Sequence, residues 1–139
     1  MTTPEVASLL DSARAWAAED PDDQTRGELE EIVEQVAAGA DPTDLEDRFA
    51  GTLEFGTAGL RGALGAGPNR MNRVVVTRAA AGLAAYLLEN GAARSSPVVI
   101  GYDARHNSEV FARDTAEVMT GAGLRALVLP RPLPTPLLA

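Results

Sequence analysis

The 139 residues carry 20 acidic and 12 basic side chains, a formal net charge of −8, and 45% of them are apolar; such a length suits one domain with a sizeable core. Cysteine is absent and histidine occurs once, at His106, which excludes disulfides, thiolate metal sites and a multi-histidine metal cluster within this sequence. There is no run of about 18 uncharged apolar residues and no basic-then-apolar leader, so neither a membrane span nor a signal peptide is expected, and the expected location is cytoplasmic.

The charge is unevenly spread. Residues 1–54 hold 15 acidic and 3 basic side chains, and residues 55–139 hold 5 and 9. A net positive segment inside an acidic chain suits an anionic ligand. The arginines are scattered and no aromatic platform accompanies them, so nucleic acid is not the expected partner.

Residues 5–19 read as an amphipathic helix, with Val6, Leu9, Leu10, Ala13, Trp16 and Ala17 on one face and Pro21 ending it. Thr25 with Glu28 has the spacing of a capping box. Leu29, Ile32, Val33 and Val36 form the stripe of a second helix that Gly39 closes. Asp41-Pro42 suits the start of a third, short helix carrying Leu45 and Phe49. The carboxylates of this leader read as solvated polar faces rather than as a metal cluster.

Leu53 to Phe55 is a short strand running into a loop with glycines at 56, 59, 62, 65 and 67. Leu64 is a candidate for a second short strand. The loop fits neither the Walker pattern nor the dinucleotide fingerprint. Thr57 and Arg61 sit among its glycines. Without a Cβ, glycine lets backbone amides turn toward a ligand, and successive amides form a concave anion site. Arginine binds phosphate through two parallel hydrogen bonds. Two readings stand on these residues: a sugar-phosphate contact at Thr57 and Arg61, or a glycine-rich connector with Arg61 merely solvated.

Asn72 suits the N-cap of a helix over about 73–90, with Val75, Ala79, Leu83 and Leu87 as its buried stripe, Val76 and Ala80 alongside, and Gly91 at its end. Pro97-Val98-Val99-Ile100-Gly101-Tyr102 is a continuous apolar run, the pattern of a strand buried on both faces. Asp103, Arg105, His106, Asn107 and Ser108 follow it, at the end of the strand where open α/β sheets place ligands. The same residues also serve a structural reading, with Asn107 or Ser108 as an N-cap and Asp103 pairing Arg105 or holding loop amides. A helix over about 108–120, with Phe111, Thr115, Val118 and Met119 inward, leads to a strand at Leu124–Leu129. Thr135-Pro136 begins a further helical turn. The alternation predicts an α/β fold: a helical extension, then a mixed, mostly parallel sheet with flanking helices.

Four stretches in this order resemble the α-D-phosphohexomutase family, and most nearly its phosphoglucomutase/phosphomannomutase branch, with its phosphopentomutase-like members. They are the acidic leader with Trp16; Phe55-Gly56-Thr57-Ala58-Gly59-Leu60-Arg61-Gly62 with Pro68-Asn69-Arg70-Met71-Asn72; Val98 to Arg105 with Asn107, Ser108 and Phe111; and Leu133-Pro134-Thr135-Pro136. The resemblance implies an acidic helical extension over 1–51 and, over 52–139, the first α/β domain of such an enzyme, truncated before its phosphoserine loop. It implies interconversion of sugar 1-phosphates and 6-phosphates, or their pentose equivalents, through a phosphoserine and a bisphosphorylated sugar, with Mg²⁺ on the phosphoserine. Thr57, Gly59 and Arg61 would then bind substrate phosphate, with Asp103 and Arg105 in support. The partners implied are a phosphosugar and the remaining domains of the same enzyme. The family's Thr-Ala-Ser-His-Asn-Pro loop would follow Pro136 by a few tens of residues and is not in this sequence, nor is the Asp-rich metal loop. Ser95, Ser96 and Ser108 lie in no equivalent motif. The expectation is therefore no catalytic residue and no metal ligand here, an inactive chain by itself, and weak independent folding. The rival expectation is a non-catalytic phosphate-binding or interaction module.

Overall fold

The computed structural model describes residues 2–92 and 96–138, so Ser95 lies outside the described residues. The fold is α/β. Three helices come first, α1 (Pro4–Glu19), α2 (Asp23–Ala37) and α3 (Thr43–Phe49). Then follow β1 (Phe55–Gly56), β2 (Gly59–Leu60), α4 (Arg73–Glu89), β3 (Pro97–Ile100), α5 (Ser108–Gly121), β4 (Arg125–Val128) and a 3₁₀ turn at Thr135–Leu137. The chain forms two compact units, residues 1–75 and 76–139.

In the first unit, Leu10, Ala13, Trp16 and Ala17 of α1 meet Leu29, Val33 and Val36 of α2 and Leu45 of α3. Trp16 and Phe49 pack edge to face, with ring centroids 6.2 Å apart and planes at 82°. The link between α1 and α2 differs from the expected capping box. Asp22 caps α2 by accepting the Gln24 amide at 2.9 Å. Thr25 instead lies inside the helix, buried, and donates its hydroxyl to the buried Asp20 at 2.6 Å. Asp20 also accepts the Asp22 amide at 2.9 Å. A buried carboxylate needs donors, and this need outcompetes the capping box for Thr25. Gly39 closes α2 at φ +102°, its amide and that of Ala40 bonding back to Val36 and Gln35. Asp41 accepts both the amide and the hydroxyl of Thr43, and so caps α3 from just before Pro42.

The strands form two pairs. β1 and β2 are antiparallel, in register Phe55↔Leu60 and Gly56↔Gly59. The second strand expected near Leu64 falls at Gly59–Leu60 instead, and Leu64 makes an isolated bridge with Met71. A two-residue turn closes the chain back on Phe55 sooner than the glycine pattern suggested.

In the second unit, β3 and β4 are parallel, in register from Pro97↔Arg125 to Ile100↔Val128, and α5 connects them. Ala80 and Ala84 of α4 join Met119 and Leu124 in its core, with Leu87, Leu88, Val98 and Ala126 packed around them. Two expectations are corrected. Leu83 is 48% exposed, so the repeat of every fourth residue is not the buried stripe. Such a repeat drifts by about 40° per step on a helix of 3.6 residues per turn, and Ala80, Ala84, Leu87 and Leu88 follow the true face. Nor is β3 buried on both faces: Val98 and Ile100 face the helices, while Val99 is 51% exposed. Alternate strand residues point to opposite faces, and the apolar run does not reveal that helices cover only one of them. Among the described residues, no helix is long and apolar enough to cross a membrane.

The corrected stripe has a direct consequence. Met119→Ala empties a fully buried site and is expected to cost about 2–5 kcal/mol. Leu83→Ala is expected to stay within about 0.5 kcal/mol. Urea unfolding, followed through exchange of the α5 amides, distinguishes the two.

Candidate functional site

The hairpin β1–β2 carries the candidate anion-binding residues of the first unit. Gly56 pairs with Gly59, which leaves Thr57-Ala58 as the two-residue tip. Gly59 has φ +100°, a value open in practice only to glycine. Thr57 and Arg61 are exposed, and Gly59 is half-buried. The Arg61 guanidinium has no ion-pair or hydrogen-bond partner among the described residues. The tip presents a hydroxyl and turn amides, and Arg61, just after β2, adds an exposed guanidinium on the same hairpin; these are donor types that suit a phosphate.

The other glycines do different work, which corrects the picture of one continuous anion loop. A Cβ on Gly62 would sit 2.7 Å from the Leu53 side chain. Gly65 and Gly67 have φ +154° and +107°, and each would carry a Cβ 3.1 Å from Arg48 of α3. The buried Gly65 and Gly67 permit close packing against α3, and the exposed Gly62 lets Leu53 lie over it. Arg48 is the centre of that packing. It bonds Glu28 of α2 at 2.5 Å, Asp44 at 2.9 Å and the Ala66 carbonyl at 3.2 Å. Burial opposes its charge, but Glu28 and Asp44 outweigh that cost and hold its pKa above the ordinary arginine value.

Arg70 bonds Asp47 at 2.6 Å, and Asn69 bonds the Asp47 carbonyl through its side chain and the Arg48 carbonyl through its amide, both at 3.0 Å. Asn72 caps α4 as expected, accepting the Val75 amide at 3.0 Å. Its side-chain amide also binds the carbonyls of Gly65 and Gly67 at 2.9 and 2.8 Å. The leader's carboxylates were expected to be solvated, and Glu28, Asp44 and Asp47 do keep 37%, 57% and 62% of their side-chain surface exposed. They also hold the loop through two arginines. The legible signal was Arg48 four residues after Asp44, a helical ion-pair spacing; the longer-range partners carry no sequence signal.

Asp103 and Arg105 belong to the second unit, at the carboxyl end of β3. Asp103 accepts the Ser108 hydroxyl at 2.7 Å, the Arg105 amide at 3.1 Å and the Arg105 side chain at 2.8 Å. Asn107 precedes α5 at φ +65° without a side-chain cap bond. Ser108 thus ties the start of α5 to Asp103. The Ser108 hydroxyl, then the Arg105 amide, hold the Asp103 carboxyl below its ordinary value of 3.8. His106 is exposed. A cavity of about 280 Å³ opens beside this loop, lined in part by Tyr102, Asp103, Arg105, Ser108, Thr135 and Leu138. The structure thus gathers Thr57, Gly59 and Arg61 on one hairpin, and Asp103 and Arg105 in one loop of the other unit.

The family described as phosphoglucomutase/phosphomannomutase, alpha/beta/alpha domain I, matches residues 52–139, which include both the hairpin and the Asp103 loop. The chain belongs to this family. A probable phosphomannomutase of Haemophilus influenzae is 62% identical over 69 residues, 50% of this chain and 14% of its own length. A probable phosphoribomutase of Schizosaccharomyces pombe is 36% identical over 135 residues, 96% of this chain and 22% of its own length. A phosphoglucomutase of Staphylococcus saprophyticus is 38% identical over 104 residues, 72% of this chain and 18% of its own length. The chain thus spans less than a quarter of these relatives. No solved structure matches it significantly.

The lowered Asp103 pKa gives a pH dependence of known sign. Bonds to its ionised form stabilise the loop above the ordinary carboxyl value and lose that effect as pH falls through the lower native pKa. A carbon-13 titration of the Asp103 carboxyl should show a midpoint below 3.8. Ser108→Ala, which removes the largest cause, should raise that midpoint.

Proposed function

We propose that this chain is the N-terminal part of a phosphosugar mutase, with the β1–β2 hairpin as its contact to a phosphate of the substrate. The complete enzyme would interconvert hexose 1-phosphate and 6-phosphate, or pentose 1-phosphate and 5-phosphate, through a phosphoserine and a sugar bisphosphate. In this reading residues 1–51 are an acidic helical extension and residues 52–139 belong to the first α/β domain. The observation that carries it is one short hairpin with the exposed Thr57 in its glycine-bounded turn and the exposed, unpartnered Arg61 just after its second strand, inside the span of the family match. Phosphoryl transfer depends largely on positioning and on neutralising charge at the equatorial oxygens. Arg61 would supply the charge, and Thr57 and the turn amides at Gly59 would orient the oxygens. Asp103 and Arg105 support the reading as an ordered polar loop at the carboxyl end of β3.

No residue of this chain is assigned as nucleophile. Mg²⁺ would supply charge neutralisation at the phosphoserine of the complete enzyme. Among the described residues no group of three or more histidines and carboxylates is arranged to hold a metal. The relatives named for phosphomannose, phosphoribose and phosphoglucose all support the same reaction class, and the phosphoribomutase match, over 96% of this chain, takes in the leader as well. The expected partners are a phosphosugar and the other domains of the same enzyme, and the expected location is cytoplasmic.

Titration of residues 1–139 with glucose 1,6-bisphosphate, followed through the amides of Gly56 to Arg61, tests the hairpin. Saturable shifts are expected there. Arg61→Ala should weaken binding by about tenfold or more, the worth of one charged hydrogen bond. Binding that ignores Arg61→Ala would overturn the assignment.

A further inference from the structure

We propose that Arg48 is a positioning residue for the phosphate hairpin, so that the acidic leader serves to hold Thr57 and Arg61 in their binding geometry. The proposal deepens the reading above and rests on it for the identity of the ligand.

The argument follows the bonds outward from α3. Arg48 reaches back to Glu28 and Asp44 with its charge, and forward to the Ala66 carbonyl at 3.2 Å. Its own carbonyl accepts the Asn69 amide at 3.0 Å. The side chain is 14% exposed, and a Cβ at Gly65 or Gly67 would crowd Arg48 at 3.1 Å. The segment 65–70 is therefore fastened to α3 at several points. Arg70 adds its bond to Asp47, and the buried Asn72 gathers the carbonyls of Gly65 and Gly67.

That fastened segment in turn holds both ends of the hairpin. Before β1, the Leu53 amide donates to the Pro68 carbonyl at 3.0 Å. After β2, the Ala63 carbonyl accepts the Met71 amide at 2.8 Å. Leu53 also packs closely over Gly62, joining the two ends. The hairpin itself has only two residues in each strand, too few to fix its own orientation. Its stance is set where it is anchored. Arg48 sits at the root of both anchors without being placed at the ligand.

The linkage makes Arg48 a determinant of affinity at a distance. Apparent affinity falls in proportion to the fraction of molecules in the competent geometry. Releasing the segment from α3 lowers that fraction while Arg61 remains intact.

The test uses residues 1–139 with inorganic phosphate as the probe and residual dipolar couplings of the Phe55 to Arg61 amides as a measure of hairpin order. Arg48→Met keeps the aliphatic stem and removes the charge. With α1–α2 couplings and Trp16 emission unchanged, it is expected to collapse the hairpin couplings and to raise the phosphate Kd about tenfold, as a drop to one tenth of competent molecules requires. Arg48→Lys, which can still pair with Glu28 or Asp44 as a point charge, should recover part of both effects. If Arg48→Met does not fold, Glu28→Gln applies the same test from the other side of the ion pair, removing the carboxylate charge that holds the Arg48 guanidinium to α2. A folded variant with unaltered hairpin couplings overturns the proposal. Parent protein that fails to bind phosphate through Arg61 overturns the phosphate reading, while the couplings still decide the role of Arg48.

Discussion

One guanidinium, that of Arg48, carries the constraint on which the first unit depends. Three helices of an acidic leader could pack as a bundle by apolar contact alone, through Leu10, Trp16, Leu29 and Leu45. Such contacts are non-directional. They do not specify where the irregular chain after α3 must run. Arg48 does, because its fixed fork meets a carboxylate on α2, another on its own helix and a backbone carbonyl of the loop. Its partial burial gives these bonds more weight than exposed pairs carry, and their number offsets the cost of taking the charge out of water.

The glycines divide along the same line. Those at 65 and 67 exist for proximity to α3, and that at 62 for proximity to Leu53. Gly59 alone among the loop's positive-φ glycines stands in open space, where its freedom serves the turn that presents Thr57. A stretch that reads as a uniform flexible loop thus consists of a short presenting hairpin and a tightly packed base. The Asp103 loop of the second unit shows similar economy. One carboxylate gathers a hydroxyl, an amide and a guanidinium, and so orders the chain between β3 and α5.

The second unit rests on less. Two four-residue parallel strands and the helices on one face bury Met119 and Leu124, while Val99 and Leu127 stay exposed on the other. Parallel strands owe their stability to burial on both faces, so this pair relies on the alanine face of α4 and on α5. Small side chains at 80 and 84 are what allow α4 to approach that core.

By itself the sequence determined the local features. Helix periodicity, the glycine that closes α2, the Asn72 cap and the α/β alternation all follow from short-range steric and hydrogen-bonding rules, and the structure contains them. The family resemblance was legible from the Phe55–Gly62 motif and the run into Asp103, because those residues are contiguous. Tertiary structure alone decided the rest. Whether Thr25 caps a helix or satisfies a buried Asp20 depends on a carboxylate becoming buried. Whether Leu83 or Ala84 faces the core depends on where the sheet lies around a helix apolar on several sides. Whether Gly65 and Gly67 line a ligand or press on Arg48 depends on a contact between residues nearly twenty positions apart. Long-range pairing of this kind leaves no periodic trace in a chain; it arises only when packing brings a donor and an acceptor out of water together.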